Sequence, residues 1–233
     1  QDHFTEWLDV RSSFLDELLR HDGPGDNEIN ANSLCKRCNE GIGSIRCRDC
    51  ANGGQMYCTS CTLDLHRFLP LHRIERWNST YFDKTSLNSL GFRYQVGHHG
   101  DKCPVPVQGP KSFVLFDITG VHFLSLDYCG CGYQSSSTSS DQHYVQLLRE
   151  KWFPATLSRP QTVFTFECLE LFHELTLQGK TNLYDYYHTL LRRFDNASIH
   201  HSAINRFTEI HRVFRMWRDL MAPPVAATLM YQM

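Results

Sequence analysis

Residues 35–72 read CKRCNEGIGSIRCRDCANGGQMYCTSCTLDLHRFLPLH. Three Cys-x2-Cys pairs stand in a row: Cys35/Cys38, Cys47/Cys50 and Cys58/Cys61. His66 and His72 close the run. Together they make eight metal-ligand side chains, two full tetrahedral sets for Zn2+. A Cys-x2-Cys pair sets two thiolates on one tight turn, close enough to grip a single ion. One such pair could be a redox site; three pairs at this spacing, closed by two histidines, point to metal. So short a module buries little apolar surface, and ligation supplies its folding energy. Gly41-x-Gly43 and Asn52-Gly53-Gly54 read as turns between the pairs. Ser44–Arg46 and Gln55–Tyr57 read as short strands, and Thr62–Phe68 as a helix carrying His66. Leu63, Leu65, Leu69 and Leu71 are the expected small core.

Ten cysteines in 233 residues raise the competing idea of a disulfide-stapled secreted protein. Three features oppose it. The start, QDHFTEWLDV, has neither a basic beginning nor an apolar run of signal-peptide type. The Cys-x2-Cys spacing suits metal, and the long C-terminal stretch after Cys131 carries only Cys168. The expected compartment is therefore reducing, nucleus or cytoplasm, and not secreted. No run approaches the apolar length of a membrane span.

The net charge of −2 is unevenly spread. Residues 1–34 carry two basic and eight acidic side chains; residues 35–76 and 180–219 each carry seven basic and four acidic. The two basic segments permit nucleic-acid contact, and an ordinary solvated surface explains them equally well. The candidate phosphate contacts are Arg46, Arg48, Arg192, Arg193, Arg212 and Arg215.

Outside the metal module, residues 4–20 have helical periodicity, with Trp7, Leu8, Phe14, Leu15, Leu18 and Leu19 on one face. That face suits packing on a later part of the chain, or on a partner. Residues 78–134 are β-rich. Strands are expected at Leu90–Val96, Phe113–Asp117 and Val121–Tyr128, the last two around a Thr119-Gly120 turn. Cys103, Cys129 and Cys131 form a second cysteine group. With His98 as fourth ligand, or His99 or His122 in its place, they make a third Zn2+ set. The bland alternative is three buried thiols beside incidental histidines.

Helices are expected at Asp141–Trp152, Val163–Leu177, from the Asn182 cap to Phe194, and at Ile199–Met221. In the last, Ile204, Phe207, Ile210, Phe214, Trp217 and Met221 form a core stripe. Cys168 sits among apolar residues and reads as an inert core thiol. The fold class is α+β, divided into a helix and linker (1–34), a two-zinc module (35–77), a β-rich segment with a third zinc (78–134), a helical segment (135–221) and a tail (222–233).

The order of ligands in residues 35–76 resembles a B-box-type zinc finger. That resemblance implies a cross-brace: Cys35, Cys38, Cys58 and Cys61 on one ion, Cys47, Cys50, His66 and His72 on the other. Spacing alone leaves a sequential pairing of the first four cysteines open. A wider resemblance rests on FLDELLRHDG, the eight-ligand cluster, LGFRYQVGHHGDKCP, ITGVHFLSLDYCGC, the stretch QLLREKWFPATLSRPQTVFTFECLELFHELTLQGKTNLYDYYHTLLRRFDN, and RFTEIHRVFRMWRDL. These are similar to the CxC-type cysteine-cluster domain associated with KDZ (Kyakuja–Dileera–Zisupton) transposases. It also implies metal roles for Cys103, Cys129 and Cys131.

Such domains sit upstream of a catalytic domain that is expected to use acidic residues on an RNase H-like fold. Nothing after the last helix resembles it, so the catalytic part is expected to lie outside this chain. Asp117 follows an apolar strand, but two-metal chemistry needs several converging carboxylates, and no strand series supplies them. Closed sets of four ligands leave no open position for chemistry. A non-enzymatic role is therefore expected, with transposon-end DNA, a transposase catalytic domain or a second copy as partner. No membrane and no small-molecule substrate is expected.

Overall fold

The computed structural model describes residues 3–25, 33–51, 54–98, 101–131, 142–195 and 205–222. The chain forms two compact units, Gln1–Phe92 and Arg93–Met233. Among the described residues, six α-helices and three small sheets make it α+β, as the sequence implies.

The first unit begins with α1 (His3–Arg20). None of its residues is buried, and Phe4, Trp7, Leu8, Phe14, Leu15, Leu18 and Leu19 are all exposed. The expected packing of this face within the chain does not occur among the described residues. Next come β1 (Ile45–Cys47), α2 (Thr59–Leu65), β2 (Ile74–Trp77) and β3 (Phe82–Thr85). The strands form an antiparallel sheet in that order, with Ile45 opposite Arg76 and Trp77 opposite Phe82. The sheet thus runs on past residue 77. Gln55–Tyr57 forms no strand, only an isolated bridge between Tyr57 and Ile45.

The core here is Ile45, Met56, Tyr57, Ile74 and Leu87 rather than the expected leucines; Leu65 and Leu69 are exposed. The reason lies in α2, which is two turns long and starts three residues earlier than expected. Its buried positions are Thr62 and, at the C-cap, His66. The leucines fall on the other side.

Arg46 and Glu75 face each other across β1 and β2, a cross-strand ion pair. The guanidinium meets Glu75 at 3.0 and 3.1 Å, donates to the Gly23 carbonyl at 3.0 Å and lies 3.5 Å from the centre of the Phe82 ring. Removing one partner of so buried a pair strands the other charge. Arg46→Ala is expected to cost about 3 kcal/mol. Arg48→Ala, whose half-exposed side chain meets Glu75 at 3.4 Å, should cost less than ~1 kcal/mol. Urea denaturation of the metal-loaded protein checks the difference.

The second unit holds two sheets. One contains β4 (Tyr94–Gln95), β8 (Leu126–Cys129) and β5 (Pro106–Gln108) in the order β4-β8-β5, with β4 parallel and β5 antiparallel to β8. The other contains β6 (Phe113–Asp117), β7 (Gly120–Leu124), β9 (Trp152–Pro154) and β10 (Thr162–Thr165) in the order β7-β6-β10-β9, with β6 and β10 parallel. The single strand expected at Val121–Tyr128 is two strands in different sheets. They part at Ser125, whose carbonyl accepts from Tyr94 N. The expected strand at Leu90–Val96 shortens to β4, because a 3-10 turn occupies Asn88–Leu90.

α3 (Gln142–Arg149) ends before Trp152. Lys151 turns left-handed (φ +59°) and sends Trp152 into β9. Residues 162–165 are strand rather than helix, because TVFT is β-branched and aromatic and buried throughout. Thr165 then caps α4 (Phe166–Gly179), its hydroxyl accepting from Cys168 N at 3.1 Å. Asn182 caps α5 (Leu183–Phe194) as expected, accepting from Asp185 N at 2.8 Å. α6 (Phe207–Met221) buries Ile210, Val213, Phe214 and Trp217, while Met221 is exposed. The start expected at Ile199–Ile204, His99, Asn52-Gly53 and the tail beyond 222 lie outside the described residues.

These helices and the four-stranded sheet share one apolar core. α5 lies along β7, and Gly120 allows the approach: its φ is +128°, and a Cβ there would sit 3.1 Å from Phe194 N. Cys168 is fully buried, and burial pushes its thiol up to about 12, as befits a core thiol. No described helix is long and apolar enough to cross a membrane.

Candidate metal centres

Among the described residues, twelve Cys and His side chains converge in three groups of four. Within each group the ligand atoms all lie within 4.8 Å of one another. The first group is Cys35, Cys38, Cys58 and Cys61; the second is Cys47, Cys50, His66 and His72; the third is His98, Cys103, Cys129 and Cys131. In the first unit the Cys pairs are therefore brought together in cross-brace fashion, first with third and second with the histidines.

The dimensions suit a tetrahedral ion. Zn–S bonds of about 2.3 Å and Zn–N bonds of about 2.0–2.1 Å make tetrahedron edges of roughly 3.8 Å between sulfurs and 3.6 Å between sulfur and nitrogen. Cys38 and Cys58 are 3.9 Å apart, Cys103 and Cys131 3.5 Å. Cys47 and Cys50 lie 3.4 and 3.3 Å from His72 Nδ1, and Cys50 lies 3.6 Å from His66 Nε2. In the third group, His98 Nε2 is 3.1 Å from Cys129 and 3.6 Å from Cys131. Each group could hold a metal ion, and four soft or borderline donors in a tetrahedron are consistent with zinc.

Surrounding residues orient these ligands. Thr62 O accepts from His66 Nδ1 at 2.7 Å, which places the proton on Nδ1 and turns Nε2 toward the thiols. Asp49 sits between Cys47 and Cys50 and clamps the residue after His72. Its carboxylate accepts from Arg73 N at 2.6 Å and from the guanidinium at 2.5 and 3.1 Å. Burial works against the Asp49 carboxylate, but the Arg73 bonds outweigh it and hold its pKa below the usual range. In the third group, Val105 N and Cys131 N donate to the sulfurs of Cys103 and Cys129, both at 3.4 Å.

Without a cation these thiols resist common ionisation. Burial pushes Cys47 up to about 12 despite backbone N–H bonds from Asp49 and Cys50. Bonds to Cys103 and Cys129 raise Cys131 to about 11. Cys35 goes the other way: burial raises it, yet N–H groups of Cys38, Cys58 and Arg37 bring it down to about 6. Burial first, and the neighbouring His66 second, lower the His72 pKa and favour the neutral, ligating imidazole. A bound divalent cation stabilises all the thiolates at once.

The sequence-predicted arginines have different surroundings. Arg46 is taken up by Glu75, Gly23 and Phe82, and Arg48 leans on Glu75. Arg192 and Arg193 at the end of α5, and Arg212 and Arg215 on α6, are exposed. Asp117 is structural in its contacts. Thr119 N and Oγ1 donate to one oxygen at 3.0 and 2.6 Å, and Thr165 Oγ1 donates to the other at 2.9 Å. His122, a substitute ligand by sequence, bonds Thr119 Oγ1 instead and stands outside the third group. Sequence reasoning missed Thr62, Asp49, Arg73 and Gln146, whose polar roles follow only from the folded positions of their partners.

Residues 87–198 match the profile of the CxC2-like cysteine cluster associated with KDZ transposases. The likeness to that cysteine cluster is confined to this segment. The matched segment contains the third group of ligands, whereas the first two groups lie N-terminal to it. The match is thus narrower than the similarity read from FLDELLRHDG to RFTEIHRVFRMWRDL. No curated protein and no solved structure matches the chain.

Proposed function

We propose that this chain is a zinc-held, non-catalytic module of a KDZ-type transposase that acts by binding transposon-end DNA. The observation that carries the non-catalytic part is ligand number. Each candidate centre has four protein donors, and a catalytic zinc keeps one position for water or substrate. The ions would fold and position the surface rather than perform chemistry on it. The CxC2 match supports the transposase association. Exposed arginines on α5 and α6 support the DNA part, since phosphate contact needs accessible cations.

Binding of this kind weakens steeply with salt. The Arg212→Ala/Arg215→Ala double variant is expected to bind duplex DNA of the element termini more weakly and to lower the salt slope by about 2. Fluorescence anisotropy across a salt series measures both. No binding by the wild-type chain at low salt would sink the DNA reading. It would leave a second one, self-association through the exposed apolar face of α1, which light scattering would register as a dimer.

A further inference from the structure

We propose that Gln146 is the positioning residue of the third metal centre and sets its affinity for zinc. The inference rests on the reading of His98, Cys103, Cys129 and Cys131 as ligands. It concerns a side chain on another element, α3, which carries no ligand itself.

Gln146 is buried, and its carboxamide bonds Cys129 through both its oxygen and its nitrogen. Oε1 accepts from Cys129 N at 2.8 Å, and Nε2 donates to Cys129 O at 2.9 Å. Both main-chain polar groups of a ligand are thereby held by one planar side chain. The same carboxamide also bears on the other ligand-bearing segment. Gly97, immediately before His98, has φ +83°, and a Cβ there would lie 3.0 Å from Gln146 Oε1 and 3.0 Å from Cys129 Cβ. Gln146 therefore sits as a wedge against both loops and registers His98 against Cys129, whose ligand atoms are 3.1 Å apart. One turn further along, Glu150 accepts from Tyr94 Oη at 2.9 Å and lies 3.5 Å from Gly97 N. Gln146 on α3 and Glu150 just past its end thus hold the β8 end and the β4 end of the centre together.

Residues that fix a ligand's orientation typically govern metal affinity by about 10- to 100-fold. Gln146→Met keeps the length and removes both hydrogen bonds. Gln146→Glu keeps the acceptor for Cys129 N and loses the donor to Cys129 O. Cobalt(II) titration of the full chain, read by thiolate charge-transfer and d–d absorption, reports each centre's ligand field. Circular dichroism confirms that the variants fold.

The expected result is three equivalents for wild type. In Gln146→Met the third should bind about 10- to 100-fold more weakly and the first two unchanged, with a smaller loss in Gln146→Glu. Equal affinity of all three equivalents in a folded Gln146→Met protein would overturn the role of Gln146 while leaving the third centre standing. Two equivalents in wild type, unaltered by Cys129→Ser, would remove the third centre and this inference with it.

Discussion

Stripping metal from the chain is expected to unfold residues 33–92, with loss of the β1-β2-β3 sheet. The sheet is small, and its core of Ile45, Met56, Tyr57, Ile74 and Leu87 is too slight to offset the entropy of ordering the chain. Structural zinc contributes on the order of 10 kcal/mol per site in small modules. Two such sites therefore outweigh the apolar term. Chelation followed by far-UV dichroism and proteolysis measures the effect. Acidification should act in the same direction, because the thiolates must shed protons to bind and take them up when metal leaves.

The pairing of ligands can be tested in the same system. Cys35→Ser/Cys58→Ser removes two ligands from one ion and should cost one metal. Cys35→Ser/Cys47→Ser removes one ligand from each of two ions and should cost both. A sequential arrangement predicts the reverse. Retention of the β1-β2-β3 sheet after complete metal removal would show that the apolar core suffices alone.

The second large effect lies in the second unit. Phe164→Ala is expected to destabilise it by about 4 kcal/mol. Phe164 is fully buried in β10, between β6 and β9, and stacks on Phe116 with ring centres 5.0 Å apart. Its loss leaves a cavity in the middle of the sheet, where the parallel β6–β10 pairing has no room to collapse. Phe123→Ala, at the more exposed β7 edge, should cost much less. Urea denaturation followed by tryptophan fluorescence separates the two, since Trp152 and Trp217 both belong to this unit. Equal costs would mean that the four-stranded sheet is not the mechanical centre of the unit.

The candidate metal ligands of the first two groups were legible in the sequence because their spacing is local. Cys-x2-Cys is visible without knowing the fold, and so are the two closing histidines. Which pairs share an ion is not local, because it depends on β1 returning past α2 to β2. The choice of His98 over His122 lay in the strand ends: His98 follows β4, while His122 is held within β7 by Thr119.

The strand β10 was hidden because TVFT runs directly into a helix, and its apolar residues fit a helical period as well as a buried strand. The break at Ser125 was hidden for a similar reason, since alternation continues across it while the chain changes sheets. Lys151 gave no warning either; its positive φ is imposed by the packing of Trp152 into β9. Gln146 is a polar residue beside Leu147 and Leu148, and nothing nearby in the sequence announces its bonds to Cys129.

Closed sets of four ligands are central to the proposed function. Elemental analysis of the purified chain, combined with native mass spectrometry, tests it most directly. Three zinc ions per chain, lost one at a time by Cys61→Ser, His66→Ala and Cys103→Ser, is the predicted result. A chain that folds without bound zinc would contradict it.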